Sequence, residues 1–393
     1  MKIIRGFKVR GFILAAAFSA GLGFATSASA QQQPQSYLID LNSKTVTELG
    51  TLGGNYSAAL GINDAGRVVG WSLTAGPGNH AFITGPNGMG MRDLGTLGGS
   101  GTDSYALGIN DAGHVAGWTD TVDGGTFHAF ITGPDGMGMR DLGTLGGAHS
   151  IANGINDAGQ VAGYSFTAGE VYYHAFITGP GGMGIRDLGT LGGAHSIAYG
   201  INDAGQVAGQ SYTAGGTEHA FITGPDGMGM RDLGTLGGTS SGAHGINDAG
   251  QVAGRSTTTG HLFHTHAFIT GPDGMGMRDL GTLGGTGSSV ANGINDAGQV
   301  VGYSHTAGGD THAFITGPNG AGMMDLNSLV DLPAGAILQT AYGINDTGQV
   351  VAVGTIPEPE IYALFLAGLA LIGFVARRRK MGGEASSLGE ACS

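Results

Sequence analysis

The sequence predicts an all-β protein, a seven-bladed β-propeller built from four-stranded repeats of about 46 residues, and three observations lead there. The first is a period. "GIND" begins at Gly61, Gly108, Gly154, Gly200, Gly245, Gly293 and Gly343, a step of 45 to 50 residues. The second is that each unit holds four short apolar runs, each bounded by Gly, Pro, Asn or Asp. The third is that the last unit lacks its second half, while a matching half stands near the N-terminus. A β-solenoid is the alternative. A period this long would need two coils per repeat, and the two halves of the unit do not resemble each other.

The chain opens on a segment that is not part of this fold. Lys2, Arg5, Lys8 and Arg10 precede an apolar stretch from Phe12 to Phe24, and Ala28-Ser29-Ala30 forms a small-residue cleavage site before Gln31. Residues 1–30 read as a secretory signal peptide, with Ala28 and Ala30 at the cut. Gly21, Gly23, Thr26 and Ser27 break the apolar stretch short of the ~20 residues of a membrane span. The lone cysteine, Cys392, lies in the last residues, so the body of this exported chain uses no disulfide.

Residues 31–355 carry the repeats. Within the unit from Asp141 to Arg186, "Ala152-Asn153-Gly154-Ile155" leads into the turn Asn156-Asp157-Ala158-Gly159, and "Gln160-Val161-Ala162-Gly163-Tyr164-Ser165" leads out. Asn and Asp bond to nearby backbone N–H groups in such turns, and Gly takes the left-handed position. "His174-Ala175-Phe176-Ile177-Thr178" is a third strand, Gly179-Pro180-Gly181-Gly182 a second turn, and Ile185 to Leu188 a fourth strand. In the seventh unit, GIND and "Gly348-Gln349-Val350-Val351" run straight into Pro357, with no "HAFIT" strand between. Its missing half matches "Tyr37-Leu38-Ile39-Asp40" and "Val46-Thr47-Glu48-Leu49-Gly50", so the N-terminal strands are expected to close the ring and remove its free edges.

The repeated His-Ala-Phe, Gly-Ile-Asn-Asp and Asp-Leu-Gly-Thr-Leu-Gly-Gly resemble the extracellular repeat proteins of the HAF family over residues 36–354. That likeness implies location and repeat type and carries no activity to individual residues.

A tail unlike the rest follows. Ile361 to Ala376 are sixteen apolar or small residues, about 24 Å as a helix against a ~30 Å hydrocarbon core, so residues 361–376 are a short transmembrane candidate. Arg377, Arg378, Arg379 and Lys380 would hold its C-terminal end, and the short tail 381–393, in the cytoplasm. Pro357, Glu358 and Pro359 stand directly ahead of it. Pro-Glu-Pro, apolar helix and Arg cluster over residues 356–380 resemble the PEP-CTERM sorting signal, which implies an exosortase as partner and transient anchoring in the inner membrane before delivery to the envelope or the exterior. The thirteen residues after the basic cluster depart from the usual pattern.

The composition excludes some functions. The formal net charge is −13, and eight of the sixteen basic residues sit in the two terminal segments, so the repeats are more acidic still and repel nucleic acid and anionic lipid. No nucleophile motif or phosphate loop is present, and the acidic residues mostly repeat from unit to unit, as structural positions do. The G-x-G of "GMGM" follows a turn and opens no helix, unlike a nucleotide fingerprint. No catalysis and no cofactor are expected.

Two sets of residues remain as binding candidates. His261, His264 and His266 are close enough for a weak metal site without a fourth ligand, whereas the histidine of each "HAF" is expected to bond between strands. After the second strand the units vary, with Trp71, Trp118, Tyr164 and Tyr303 offering aromatic faces for sugar rings or, more plainly, packing between blades. The sequence therefore supports a non-catalytic exported repeat protein with a structural or interaction role, and a lectin-like propeller of an extracellular polysaccharide matrix as the second reading.

Overall fold

In a computed structural model, residues 35–99, 101–122, 125–169, 171–260, 264–332, 335–355 and 368–374 are described. Seven four-stranded antiparallel sheets follow one another around an axis. In the third blade the strands run Gly146–Ile155, Val161–Thr167, Tyr173–Gly179 and Met183–Gly189, from the axis outward. The seventh sheet pairs Ile337–Ile344 with Gln349–Thr355, then Gln35–Asp40, then Thr45–Glu48. Leu38 lies opposite Val351 and Ile39 opposite Val350, so the two chain ends share one blade, as the split seventh unit requires.

Each blade is buried on both faces, which explains its composition. Alternate side chains of a strand point to opposite sides. Val161 and Phe176 of the third blade thus join Ala116, Ala129 and Ile131 of the second, while Ala162, Ala175 and Ile177 meet Val207 and Phe221 of the fourth. Sheets covered on both sides read as near-continuous apolar runs of small and medium residues, and "Val-Ala-Gly" and "Ala-Phe-Ile" are such runs.

The glycine inside the second strand has a steric cause. A Cβ on Gly209 would stand 2.0 Å from the Ile197 carbonyl oxygen and 2.8 Å from the Phe221 ring. The register shifts beside it, between Ala198 and Gly200, so the bulge presses the inner strand onto its neighbour. The turn between third and fourth strands is equally specific. Asp226 at φ 52 and Gly227 at φ 67 are left-handed, and a Cβ on Gly227 would meet Leu188 and Arg186 of the preceding blade at 2.9 and 3.0 Å.

In the tail, residues 368–374 are helical and lie inside the expected segment 361–376, whose remaining residues fall outside those described. Among the described residues no helix is long and apolar enough to cross a membrane.

Deleting residues 35–48 removes two strands of the closing blade and leaves Gln349–Thr355 an open edge. Thermal unfolding followed by circular dichroism is expected to lose its cooperativity. A truncated chain that melts like the parent would contradict closure as a source of stability.

Candidate functional site

The axis is built from the "GIND" turns. In each, the Asn side chain works twice. Asn156 Oδ1 accepts from the backbone N–H of Gln160 and closes its own turn, while Asn156 Nδ2 donates to Gln160 Oε1 and to the carbonyl of Asn202 in the next blade. The link repeats at 2.9–3.2 Å from Asn63 to Asn110, Asn156, Asn202, Asn247, Asn295 and Asn345, whose Nδ2 returns to Asn63. A second closed ring lies beside it. The backbone N–H of each following aspartate donates to Oδ1 of the next one around, at 2.8–3.0 Å, and Asp346 returns to Asp64.

The result is an axial mouth of about 200 Å³ lined by asparagine and aspartate, with a ring of seven isoleucines from Ile62 to Ile344 beneath it. Partial burial and the neighbouring carboxylates Asp296, Asp203 and Asp157 raise the Asp248 carboxyl, against the backbone N–H of Asp203, which lowers it. Burial likewise raises Asp346. No group of three or more metal-ligating side chains is disposed to hold an ion among the described residues.

Outside the axis, the repeated polar residues tie one blade to the next. Gln160 and Gln206 donate to Asp226 and Asp273 of the following blade. Arg92, Arg186 and Arg231 donate to the carbonyls of Asp135, Asp226 and Asp273. Ser150 Oγ accepts from Ala129 N–H and donates to the Gly143 carbonyl, pinning an inner strand to the blade before it. The "HAF" histidines bond within the blade. His80, His128, His174, His219, His266 and His312 each place Nδ1 at 2.6–2.8 Å from an aspartate of the fourth strand. In all six blades the same aspartate accepts from the N–H two residues on, which sets the start of the link after the fourth strand, "DLG" in five and "DLN" in the sixth.

The variable residues assemble into something the repeat pattern does not announce. Tyr56, Trp71, Tyr105, Trp118, Phe127, His149, Phe166, Tyr173, His195 and Tyr212 form an unbroken belt across the first four blades, with successive ring centroids 4.1–5.8 Å apart. Trp71 sits between Tyr56 and Tyr105, and Trp118 stacks on Tyr105 at 4.3 Å, so both spend ring surface on neighbouring side chains. Tyr164 joins through Tyr173. Tyr303 belongs to the sixth blade, outside the belt. Of the histidine candidates, His266 is paired with Asp279, His264 lies just before the strand Thr265–Ile269, and His261 is not among the described residues. Nor are Ala28, Ala30, Pro357, Glu358, Pro359, Arg377, Arg378 and Arg379.

Across the fourth and fifth blades the belt gives way to a polar sector. Gln210 and Arg255 stand where earlier blades have Trp or Tyr, and Gln210 Oε1 is buried without a protein partner. Burial raises Glu218, with Arg255 opposing, and raises Tyr199 to about 12. His244 occupies the position before "GIND" and bonds through Nδ1 to the Ala291 carbonyl at 2.8 Å. Asn153 and Asn292, at the same place in other blades, donate to Ala198 and Ala341. Desolvation pushes the His244 imidazole down to about 4, Arg255 adds to the effect, and the bond to Ala291 resists it.

The PEP-CTERM protein-sorting motif matches residues 355–380. No curated protein matches the chain in sequence. Among solved structures, a mutant puromycin hydrolase in complex with PGG is similar at 12% identity and TM-score 0.52, over 77% of this chain and 54% of its own. A prolyl endopeptidase is similar at 8% identity and TM-score 0.50, over 86% and 51%. The β-propeller domain of the Trilobed protease from Pyrococcus furiosus is similar at 10% identity and TM-score 0.49, over 76% and 90%. This chain spans about half the length of the first two, and at such identities the likeness is one of fold.

His244 generates a pH prediction. Its pKa is lower folded than unfolded, so as the pH falls from about 6.5 to about 4 the unfolded chain takes up a proton that the folded chain refuses, and stability drops across that window. His244→Asn keeps a donor for the Ala291 carbonyl and removes the titration. Urea unfolding at pH 7 and pH 4.5 is expected to show the variant recovering on the order of 2 kcal/mol of the acid loss. An equal acid loss in both chains would place the titration elsewhere.

Proposed function

We propose that the chain is a non-catalytic, exported interaction module whose propeller is delivered by its C-terminal sorting segment to the cell envelope or the exterior. One observation carries the non-catalytic half. The polar residues that recur from blade to blade, Asn and Asp of "GIND", Gln of the same inner turn, and His, Asp and Arg of the outer strands, are engaged in bonds that hold turns, strands and blades together. The match of the sorting motif to residues 355–380 supports export through a membrane-anchored intermediate. In this reading residues 1–30 are a signal peptide, residues 31–355 are the delivered HAF-type repeat domain, and an exosortase reads Pro357, Glu358, Pro359 and the basic cluster Arg377 to Arg379.

Changing Pro357, Glu358 and Pro359 together to alanine leaves the apolar segment and basic cluster intact. Uncleaved chain is expected to accumulate in the inner membrane, whereas intact-mass analysis of the wild type in its final location is expected to show a chain ending before Arg377. A mature wild-type chain that retains residues 377–393 would leave a plain anchor instead.

A second reading, binding of extracellular polysaccharide, is favoured by one feature. The belt concentrates half-buried aromatic rings in the first four blades, and several weak contacts on one polymer gain by avidity. Retention on an immobilised acidic or neutral polysaccharide is expected to fall several-fold in Trp71→Ala and Trp118→Ala chains of unchanged circular dichroism. Equal retention of all forms, or of none, would remove this reading.

A further inference from the structure

The segment after the outer turn, "GMGM" in four blades, "GMGI" in the third and "GAGM" in the sixth, places two side chains in opposite surroundings. The second, Met91, Met139, Met230, Met277 or Met323, packs against the apolar core between blades. The first does not. Met89, Met137, Met183, Met228 and Met275 are 63–69% exposed, at equivalent places in five consecutive blades and on the same side as the axial mouth. Their backbones are held where they are by the turn. Met228 N–H donates to the Pro225 carbonyl, and its own carbonyl accepts from Gly224 at 2.7 Å. Packing does not demand a long side chain here, because the sixth blade has Ala321 at this position and makes the same turn. Five large apolar side chains therefore stand in water at a rigid site where they bury little, and their common property is a thioether sulfur.

We infer that these five methionines are a site of reversible oxidation, an array of sacrificial thioethers for hydroperoxides and related two-electron oxidants outside the cell. A sulfur lone pair attacks the terminal peroxide oxygen, an S–O bond forms, and the O–O bond breaks. The displaced oxygen leaves as water or alcohol after taking the proton of the attacked oxygen, so the peroxide is reduced as the thioether becomes a sulfoxide. Oxidation normally harms a protein because it places a polar sulfoxide in a core. Here each sulfur projects from a turn closed by backbone bonds, so five equivalents of oxidant are absorbed without loss of packing. The same exposure leaves each sulfoxide open to a methionine sulfoxide reductase.

The full chain is treated with hydrogen peroxide in graded excess and mapped by peptide mass spectrometry, with thermal unfolding measured in parallel. The five turn methionines are expected to gain one oxygen each at rates within about threefold of one another and at least about tenfold ahead of Met91, Met139, Met230 and Met277, with the melting temperature moved by less than about 2 °C. Treatment with both epimer-specific sulfoxide reductases and a dithiol is expected to restore the original mass. Replacing the five by leucine is expected to leave the melting temperature unchanged and abolish the rapid uptake. Oxidation of both methionine sets at one rate, a melting temperature that falls as the turn methionines oxidise, or sulfoxides that resist the reductases would overturn the inference.

Discussion

Everything in this molecule hangs on the circular chain of asparagine hydrogen bonds at its axis. A propeller has no central element to which its blades attach, so the inner ends of seven sheets must be tied to one another. Asparagine does this because it carries both an acceptor and two donors on one short side chain. In Asn156 and Asn202 all are used: Oδ1 closes the local turn, and Nδ2 divides between a glutamine of the same turn and the next blade. The seven asparagines are 4–5% exposed, so an unpaired amide here would lose its water without compensation. Aspartate at the same place would lose the two donors and set a charge against a carbonyl. The neighbouring ring, in which each aspartate accepts from a backbone N–H, repeats the tie, and those bonds oppose the repulsion among the carboxylates that raises Asp248.

That constraint propagates outward. Because each turn is held to its neighbour, adjacent blades meet at a fixed distance, and the space between them is filled by the same Val, Ala, Ile and Phe side chains in blade after blade. The glycine of the second strand is the counterpart at the scale of one atom, since the bulge before "GIND" brings a carbonyl to where its Cβ would be. Arginine of the fourth strands and glutamine of the inner turns reach the outer turn of the next blade and close what the inner ring leaves open.

The period, the four strands and the split seventh blade were legible in the sequence because a repeat displays its own register: seven copies of one turn give seven inner hairpins, and a half-unit at each end has one place to go. The hydrogen-bond ring was not. "Asn-Asp" predicts a turn, but nothing local says that the amide left over will find a carbonyl some 46 residues away. The mid-strand glycine was similarly hidden, because turn and strand-interior glycines look alike in a string. The aromatic belt escaped for another reason. Trp71 and Trp118 stood out as single large residues, whereas Tyr56, His149 and His195 share one inner-strand position filled by unlike ring types, and Phe127 and Tyr173 meet His149 and His195 only when blades pack.

Symmetry and its loss divide the molecule into a frame and a set of surfaces. Identical residues make identical joints, and they leave little freedom to adapt. Departures from the repeat cluster in the aromatic belt of the first four blades and in the polar sector around Gln210, Glu218, His244 and Arg255. A partner that distinguishes one side of this ring from another must do so there. The tail is compatible with such a frame. Thr355 both ends the last strand and begins the sorting motif, so a cut anywhere beyond it leaves every strand of the seventh blade in place. The ring also needs the first strands and the last together. Closure therefore waits until the chain has been delivered through Thr355, and the segment that follows is the one that directs where the closed ring goes.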